Sequence, residues 1–304
     1  MDNEKMGRPV EIVSISFSNR PLTEISAIVE QEAAKGCDLI VLPETWRGND
    51  AEQIDSEAVL TMRALAKRYN TYIIHPMFRL IDENKQANSA ILIDREGEIV
   101  CIYDKVYPFW NEFDLTPPVA SGEEAPVYQT DFGTIGMAIC FDANFPEVWK
   151  RLAQQGAELV LWPSAYSAGT SLQAHAINHQ FYIVTSTLLS DCIVYDITGK
   201  EIHYSKKPGE INISRITLDL DRRIFHENFN IDKRDALLKD YAGRIEQDCL
   251  MEREQWFTLR CLDPDVSVQQ LAQQYGLEEL RAYKERSMNG IDRMRGFRFV
   301  SKTI

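Results

Sequence analysis

The sequence predicts an α/β protein in which a mixed sheet, or a pair of sheets, is covered by helices. Two observations carry this. Apolar, β-branched runs alternate with helical stretches over residues 9–42 and again over residues 134–163, the pattern of parallel strands joined by crossover helices. Between them, residues 88–93 and 98–106 flank Asp94-Arg95-Glu96-Gly97, a hairpin-like turn that joins antiparallel strands.

Taken in order, residues 9–17 (PVEIVSISF) read as the first strand. Residues 22–35 read as a helix, with Ile25, Ile28 and Val29 on one face and Gly36 closing it. Residues 38–42 (DLIVL) are a short apolar strand that ends on Pro43 and Glu44. A helix over 53–68 and a strand over 71–78 lead into the hairpin, and 117–126 reads as a loop. Further on come a helix near 171–178 and strands over 181–187, 192–196, 202–204 and 211–218. After about Arg222 the character changes, and residues 233–252 and 269–288 look helical. The expected organisation is a domain over residues 1–225 and a helical extension over 226–304, packed on the core or on a subunit interface.

The most informative stretch is residues 133–166, GTIGMAICFDANFPEVWKRLAQQGAELVLWPSAY. The apolar run 134–139 is short enough to be a buried strand, and it ends on Cys140. Four residues of turn follow, then Pro146, whose missing N–H costs nothing at the start of a helix. Phe145, Val148, Trp149 and Leu152 recur at helical spacing, Gly156 sits at the helix end, and a second apolar run covers 158–163. Cys140 therefore stands on a sharp strand-to-helix turn at the C-terminal edge of a parallel sheet, where α/β enzymes gather reactive groups. The helix start adds free N–H groups and the positive end of a dipole. Glu44 also follows a strand at its C-terminal edge, and Lys105 lies near the end of the run 98–106. Each has an ordinary alternative. Cys140 could be a small buried hydrophobe, Glu44 a cap or a partner of Arg47, and Lys105 a solvated lysine beside Asp104.

Composition narrows the function classes. Of 304 residues, 33 are Lys or Arg and 46 Asp or Glu, so the net charge is 33 − 46 = −13, which argues against a nucleic-acid or anionic-membrane surface. Six cysteines in no paired pattern form neither a disulfide framework nor a zinc site. The five histidines are not spaced as a ligand set, and His175 and His179, at i and i+4, read as an ordinary helix face. The start has no apolar leader segment, and no apolar run is long enough to span a bilayer. The expectation is a cytoplasmic protein.

Glu44, Lys105 and Cys140, in that order and with their flanks, resemble the nitrilase superfamily of carbon–nitrogen hydrolases, on its amidase and N-carbamoyl amidohydrolase side. The carriers are LIVLPETW, YDKVYPFWNEFD and CFDANFPEVWKRLAQQGAELVLWPSA, and the match spans roughly residues 9–220. The lysine segment departs from the family pattern, because Asp104 stands where a basic residue is usual. The resemblance implies a four-layer αββα sandwich and a Glu–Lys–Cys triad: Glu44 as general base and acid, Lys105 as cationic stabiliser and Cys140 as nucleophile. It implies Glu112 as an assisting carboxylate, no metal or organic cofactor, and a homodimer or higher homo-oligomer formed through helical faces.

The chemistry needs such groups. A free thiol has a pKa of about 8.5 and is only a few per cent thiolate at neutral pH. Burial raises that value, while a lysine cation about 4 Å away at an effective dielectric of about 20 offers about 4 kcal/mol in the other direction, enough to outweigh a moderate desolvation cost. Glu44 takes the thiol proton, delivers one to the leaving amine and then activates water against the thioester. Lys105 and the backbone N–H of Phe141 face the tetrahedral oxyanion. Family members that act on nitriles usually carry Trp-Glu after the cysteine; Phe141-Asp142 here favours an amide or an N-carbamoyl amine. Trp46, Trp110, Asn144 and Tyr166 are candidates to line the pocket, with core packing the alternative for the aromatics. No arginine follows closely after Ser164 to hold a substrate carboxylate. Glu112 and Asp142 suit a neutral or cationic substrate such as a carbamoyl polyamine. The expected function is hydrolysis of a non-peptide C–N bond in a small linear amide or N-carbamoyl amine through a thioester on Cys140. Two alternatives stand beside it: an acyl transferase of the same fold, and a nucleic-acid-binding regulator acting through residues 268–288, which superficially resemble a helix-turn-helix.

Overall fold

The computed structural model describes residues 7–296. Met1–Met6, at the start read above for its lack of an apolar leader, lie outside the described residues. The described residues divide into two compact units, 10–220 and 221–296 together with 7–9.

The larger unit is built on two six-stranded sheets. The first contains β1 (Pro9–Ser16), β2 (Leu39–Val41), β3 (Tyr72–Asp82), β4 (Lys85–Ile93) and β5 (Ile99–Asp104), with the late strand β12 (Asn212–Asp219) beside β1 in the order β12-β1-β2-β3-β4-β5. The second runs β11-β10-β9-β8-β7-β6, from β6 (Val127–Gln129), β7 (Thr134–Met137), β8 (Leu159–Ser164), β9 (Tyr182–Thr187), β10 (Asp191–Tyr195) and β11 (Glu201–Lys206). In each sheet three central strands are parallel, β1-β2-β3 and β7-β8-β9, and antiparallel strands extend them. β6 falls just beyond the stretch read as a loop and pairs antiparallel with β7.

Side-chain alternation sorts each strand of the first sheet into two faces. Val13, Ile15, Ile40, Ile73, Met77, Ile91 and Ile93 pack with Ile25, Val29 and Ala33 of α1 (Leu22–Ala33) and with Val59, Met62, Leu65 and Ala66 of α2 (Glu57–Tyr69). Each fully buried Val, Ile or Met among them contributes about 1.5–3 kcal/mol of transfer free energy. The intervening residues face the second sheet: Ser14 Oγ donates to Thr185 O at 2.7 Å, and Ser186 Oγ returns a bond to Ile15 O at 2.9 Å. On the second sheet, α3 (Pro146–Gln154) buries Val148, Trp149 and Leu152, and α4 (Thr170–His179) buries Leu172, His175 and Ala176. Gly136 is needed for this packing, because a Cβ there would lie 2.8 Å from Leu152 Cδ2. Two sheets between helices make the αββα sandwich that the resemblance implies.

The C-terminal unit has the helices expected there, together with a sheet that the sequence reading did not include. β13 (Arg223–His226), β14 (Ile245–Met251) and β15 (Trp256–Cys261) form an antiparallel sheet in the order β13-β15-β14, accompanied by α5 (Ile231–Asp240), α6 (Val268–Tyr275) and α7 (Leu280–Met294). The helix expected over 233–252 ends at Asp240, where Tyr241 leaves the helical conformation, and Gly243, with a left-handed φ of +78°, turns the chain toward β14. β14 then uses its backbone groups on β15 rather than along a helix. Phe225, Leu237, Phe257, Leu259, Val268 and Leu271 form a core of this unit's own residues.

Candidate active site

The strand edges of the larger unit bring the marked residues together. Glu44 lies three residues past β2, and its neighbour Thr45 has φ +39°. Lys105 follows β5 directly and shares the inward face with Tyr103, two residues earlier. Cys140 opens a 3₁₀ turn, Cys140–Asn144, just past β7, and takes φ +47°. A left-handed conformation in a residue other than glycine costs on the order of 1 kcal/mol or more and persists only when its surroundings over-determine it. They do so here: Trp162 Nε1 donates to Cys140 O at 3.2 Å, and Trp149 Nε1 donates to Asp142 O at 2.9 Å.

The central network is buried, and its carboxylates and the Lys105 cation are hydrogen-bonded, while Asn88 Oδ1 is buried without a partner. Lys105 Nζ donates to Glu44 Oε1 and to Glu112 Oε1, each at 2.8 Å. Asn88, on the inward face of β4, donates through Nδ2 to the same two oxygens, at 2.7 and 2.9 Å. Ala165 N–H donates to Glu44 Oε2 at 2.7 Å, and Phe109 N–H to Glu112 Oε2 at 3.2 Å. The Cys140 thiol stands close enough to the Glu44 carboxylate and the Ala165 N–H for both to act on its titration. Glu44, Lys105 and Cys140 are 2%, 1% and 7% exposed, so these bonds act with little competition from water.

The electrostatics differ from the sequence expectation in one respect. The Cys140 thiol is pushed up to about 12, chiefly by burial and then by the Glu44 charge, with Lys105 and the Ala165 N–H opposing. The lysine cation does not outweigh desolvation, because two carboxylates already hold it. Burial works against the Lys105 cation in turn, but Glu44, Cys140 and Glu112 overcome that and keep it above its ordinary value. Burial raises Glu112, with Lys105 opposing. The resting site is therefore a thiol beside a carboxylate.

The other marked residues take varied places. Trp46 does not line the site: it is 4% exposed in the helix-side core, edge-to-face on Phe17 and His75 at 5.6 and 5.5 Å. Trp110 is 67% exposed at the start of the 3₁₀ turn Trp110–Asp114, whose inward residue is Glu112. Asn144 is exposed; its Nδ2 donates to Phe141 O at 3.2 Å, and its side chain also bonds the Tyr166 hydroxyl. Tyr166 is half-buried, edge-to-face on Trp162 at 5.5 Å. Phe141 follows Cys140 in the Cys140–Asn144 turn, where a backbone N–H has no partner within the turn.

Asp142 does not face a substrate. It is fully buried and accepts from Tyr103 Oη (2.6 Å), Ile139 N (2.9 Å) and Tyr107 N (2.9 Å), with burial pushing it up to about 6. Its role is to tie the Cys140 turn to β5 and the lysine loop. Asp104 accepts from Arg79 and from Ser89 Oγ (2.6 Å), so its charge is matched from β3 and β4. His175 stacks on Trp149 at 4.4 Å and pairs with Ala143 O at 2.9 Å, and no group of three or more metal-ligating side chains occurs among the described residues. The sequence reading missed Asn88; the signal in the sequence was an amide at the head of the run Asn88–Ile93, on the same strand face as Gln86.

An α/β sandwich that buries a thiol, a carboxylate and a lysine at facing strand edges is suited to acyl transfer through a covalent thiol ester. Residues 20–222 match the sequence model of the carbon–nitrogen hydrolase family, and the chain belongs to that family. A deaminated glutathione amidase of Synechocystis sp. is 27% identical over 208 residues, covering 58% of this chain and 76% of that protein. Omega-amidase NIT2 of Mus musculus is 24% identical over 203 residues, covering 60% and 73%. Among solved structures, Saccharomyces cerevisiae Nit3, a member of branch 10 of the nitrilase superfamily, aligns with a TM-score of 0.62 at 19% identity, over 72% of this chain and 93% of that one. An amidase from Nesterenkonia sp. aligns with a TM-score of 0.62 at 20% identity, over 77% and 97%.

Proposed function

We propose that the chain is a thiol-dependent hydrolase of a small linear amide or N-carbamoyl amine, working through a thioester on Cys140. The observation that carries the reading is the buried Cys140–Glu44–Lys105 network with its hydrogen bonds. In the first step Glu44 takes the thiol proton as sulfur attacks the carbonyl carbon. With Glu44 neutral, Lys105 is released from one of its two counter-charges and acts on the developing oxyanion together with the Phe141 N–H. Glu44 returns the proton to the leaving nitrogen, and the C–N bond breaks. A water then gives its proton to Glu44 and attacks the thioester, releasing the acid and restoring the thiol. Glu112 and Asn88 hold Lys105 and Glu44 in register throughout.

The test is ammonia release by the wild type and Cys140→Ser over linear amides, ω-amides, N-carbamoyl amines and nitriles. The wild type is expected to release ammonia from an amide or N-carbamoyl compound, and the variant to lose at least about a thousandfold. Equal activity in the two proteins would sink the thiol mechanism. The same reading includes a cytoplasmic homodimer; six free cysteines are consistent with a reducing compartment, and sedimentation of the full chain at micromolar concentration checks the dimer.

A further inference from the structure

Resting on that reading, we propose that the substrate is uncharged and carries an aromatic or comparably bulky apolar group away from the reacting carbonyl. A continuous path of rings leads outward from the nucleophile. Phe141 adjoins Cys140, Phe109 meets Phe141 edge-on at 5.3 Å, and Trp110 lies 5.8 Å from Phe109. Phe145 backs Phe141 at 5.3 Å and stacks on Tyr107 at 3.7 Å. The turn that sends Glu112 inward to Lys105 presents Phe109, Trp110 and Phe113 outward, at 37%, 67% and 52% exposed. Three exposed aromatics on one short turn form the kind of patch that marks a binding surface, and here the patch is continuous with the residue after the thiol.

The charges of the site select in the same direction. Lys105 is held by two carboxylates, and Glu112 is held by Lys105, Asn88 and the Phe109 N–H. Asp142, named above as suiting a cationic substrate, is fully buried and turned to Tyr103 and backbone N–H groups. These groups are engaged with the protein, so a substrate carboxylate or ammonium would lose hydration without gaining one of them as a partner. Rings offer a neutral apolar group burial and stacking instead.

The experiment compares kcat/KM of the full chain on propionamide, 3-phenylpropionamide, succinamate and 4-aminobutanamide, with ethylurea and 2-phenylethylurea as the matching N-carbamoyl pair. The phenyl compound of a pair is expected to exceed its ethyl partner by about tenfold or more, and the charged amides to gain nothing over propionamide. Trp110→Ala and Phe109→Ala should shrink the phenyl-to-ethyl ratio severalfold, mostly through KM, while Trp110→Phe keeps most of it. Equal rates within each pair, a preference for succinamate or 4-aminobutanamide, or an unchanged ratio in both alanine variants would overturn the proposal while leaving the hydrolase standing. Absence of turnover on all six compounds, with no acyl adduct on Cys140 by mass spectrometry, would remove both.

Discussion

Asn88 Nδ2 and Lys105 Nζ converge on Glu44 Oε1 and Glu112 Oε1, so the amide shares with the cation the task of holding two carboxylates in one buried place. A donor to the charged form of a carboxylate favours that form. Asn88→Ala removes it, so the acid limb of the kcat/KM profile should move to higher pH. Leaving buried partners unsatisfied costs about 1–3 kcal/mol, or about fivefold to somewhat over a hundredfold in rate. A pH–rate profile unchanged in shape would show that the amide only fills space. Glu44→Gln gives the complementary result. It should abolish turnover yet bring the Cys140 thiol down from about 12, because the Glu44 charge is among the causes that raise it. The pH dependence of Cys140 alkylation, read by mass spectrometry, checks the sign.

At the level of the strand, β3 carries His75, fully buried with neither ring nitrogen hydrogen-bonded and with the ring pushed down to about 3, chiefly by burial and then by Arg47. The unfolded chain takes up a proton near pH 6.5, while the folded protein refuses it until about pH 3. Stability is therefore fully present above pH 6.5 and is lost as pH falls, at up to about 1.4 kcal/mol per pH unit from this residue. His75→Leu removes both the titration and two orphaned polar atoms. Urea denaturation at pH 7 and pH 5 should show a smaller loss in the variant than in the wild type; an identical loss would place the acid sensitivity elsewhere. β14 teaches a different lesson. Its residues read as part of a helix, but the helix ends at Asp240 and the pairing with β15 supplies backbone partners that local sequence does not reveal.

Over the whole molecule, Glu44, Lys105, Glu112 and Cys140 all lie in the unit of residues 10–220, while the separate core around Phe225, Phe257 and Leu259 lies in the other. A chain ending at Leu220 is expected to unfold in one cooperative transition by circular dichroism and to keep an alkylatable Cys140; a molten product would show that the sandwich depends on residues beyond 220. The sequence by itself determined the βα units, the hairpin and the strand-edge positions of Glu44, Lys105 and Cys140, because apolar period, Pro146 and Gly156 act locally. Glu112 was marked by resemblance, and Asn88 was not marked at all. Only the tertiary structure decided that Trp46 belongs to the core, that Asp142 turns away from substrate, that Asn88 joins the carboxylates and that the thiol rests protonated. Each of those depends on which charges and rings distant segments bring within a few ångströms, and Coulomb and packing energies follow distance in space rather than separation along the chain.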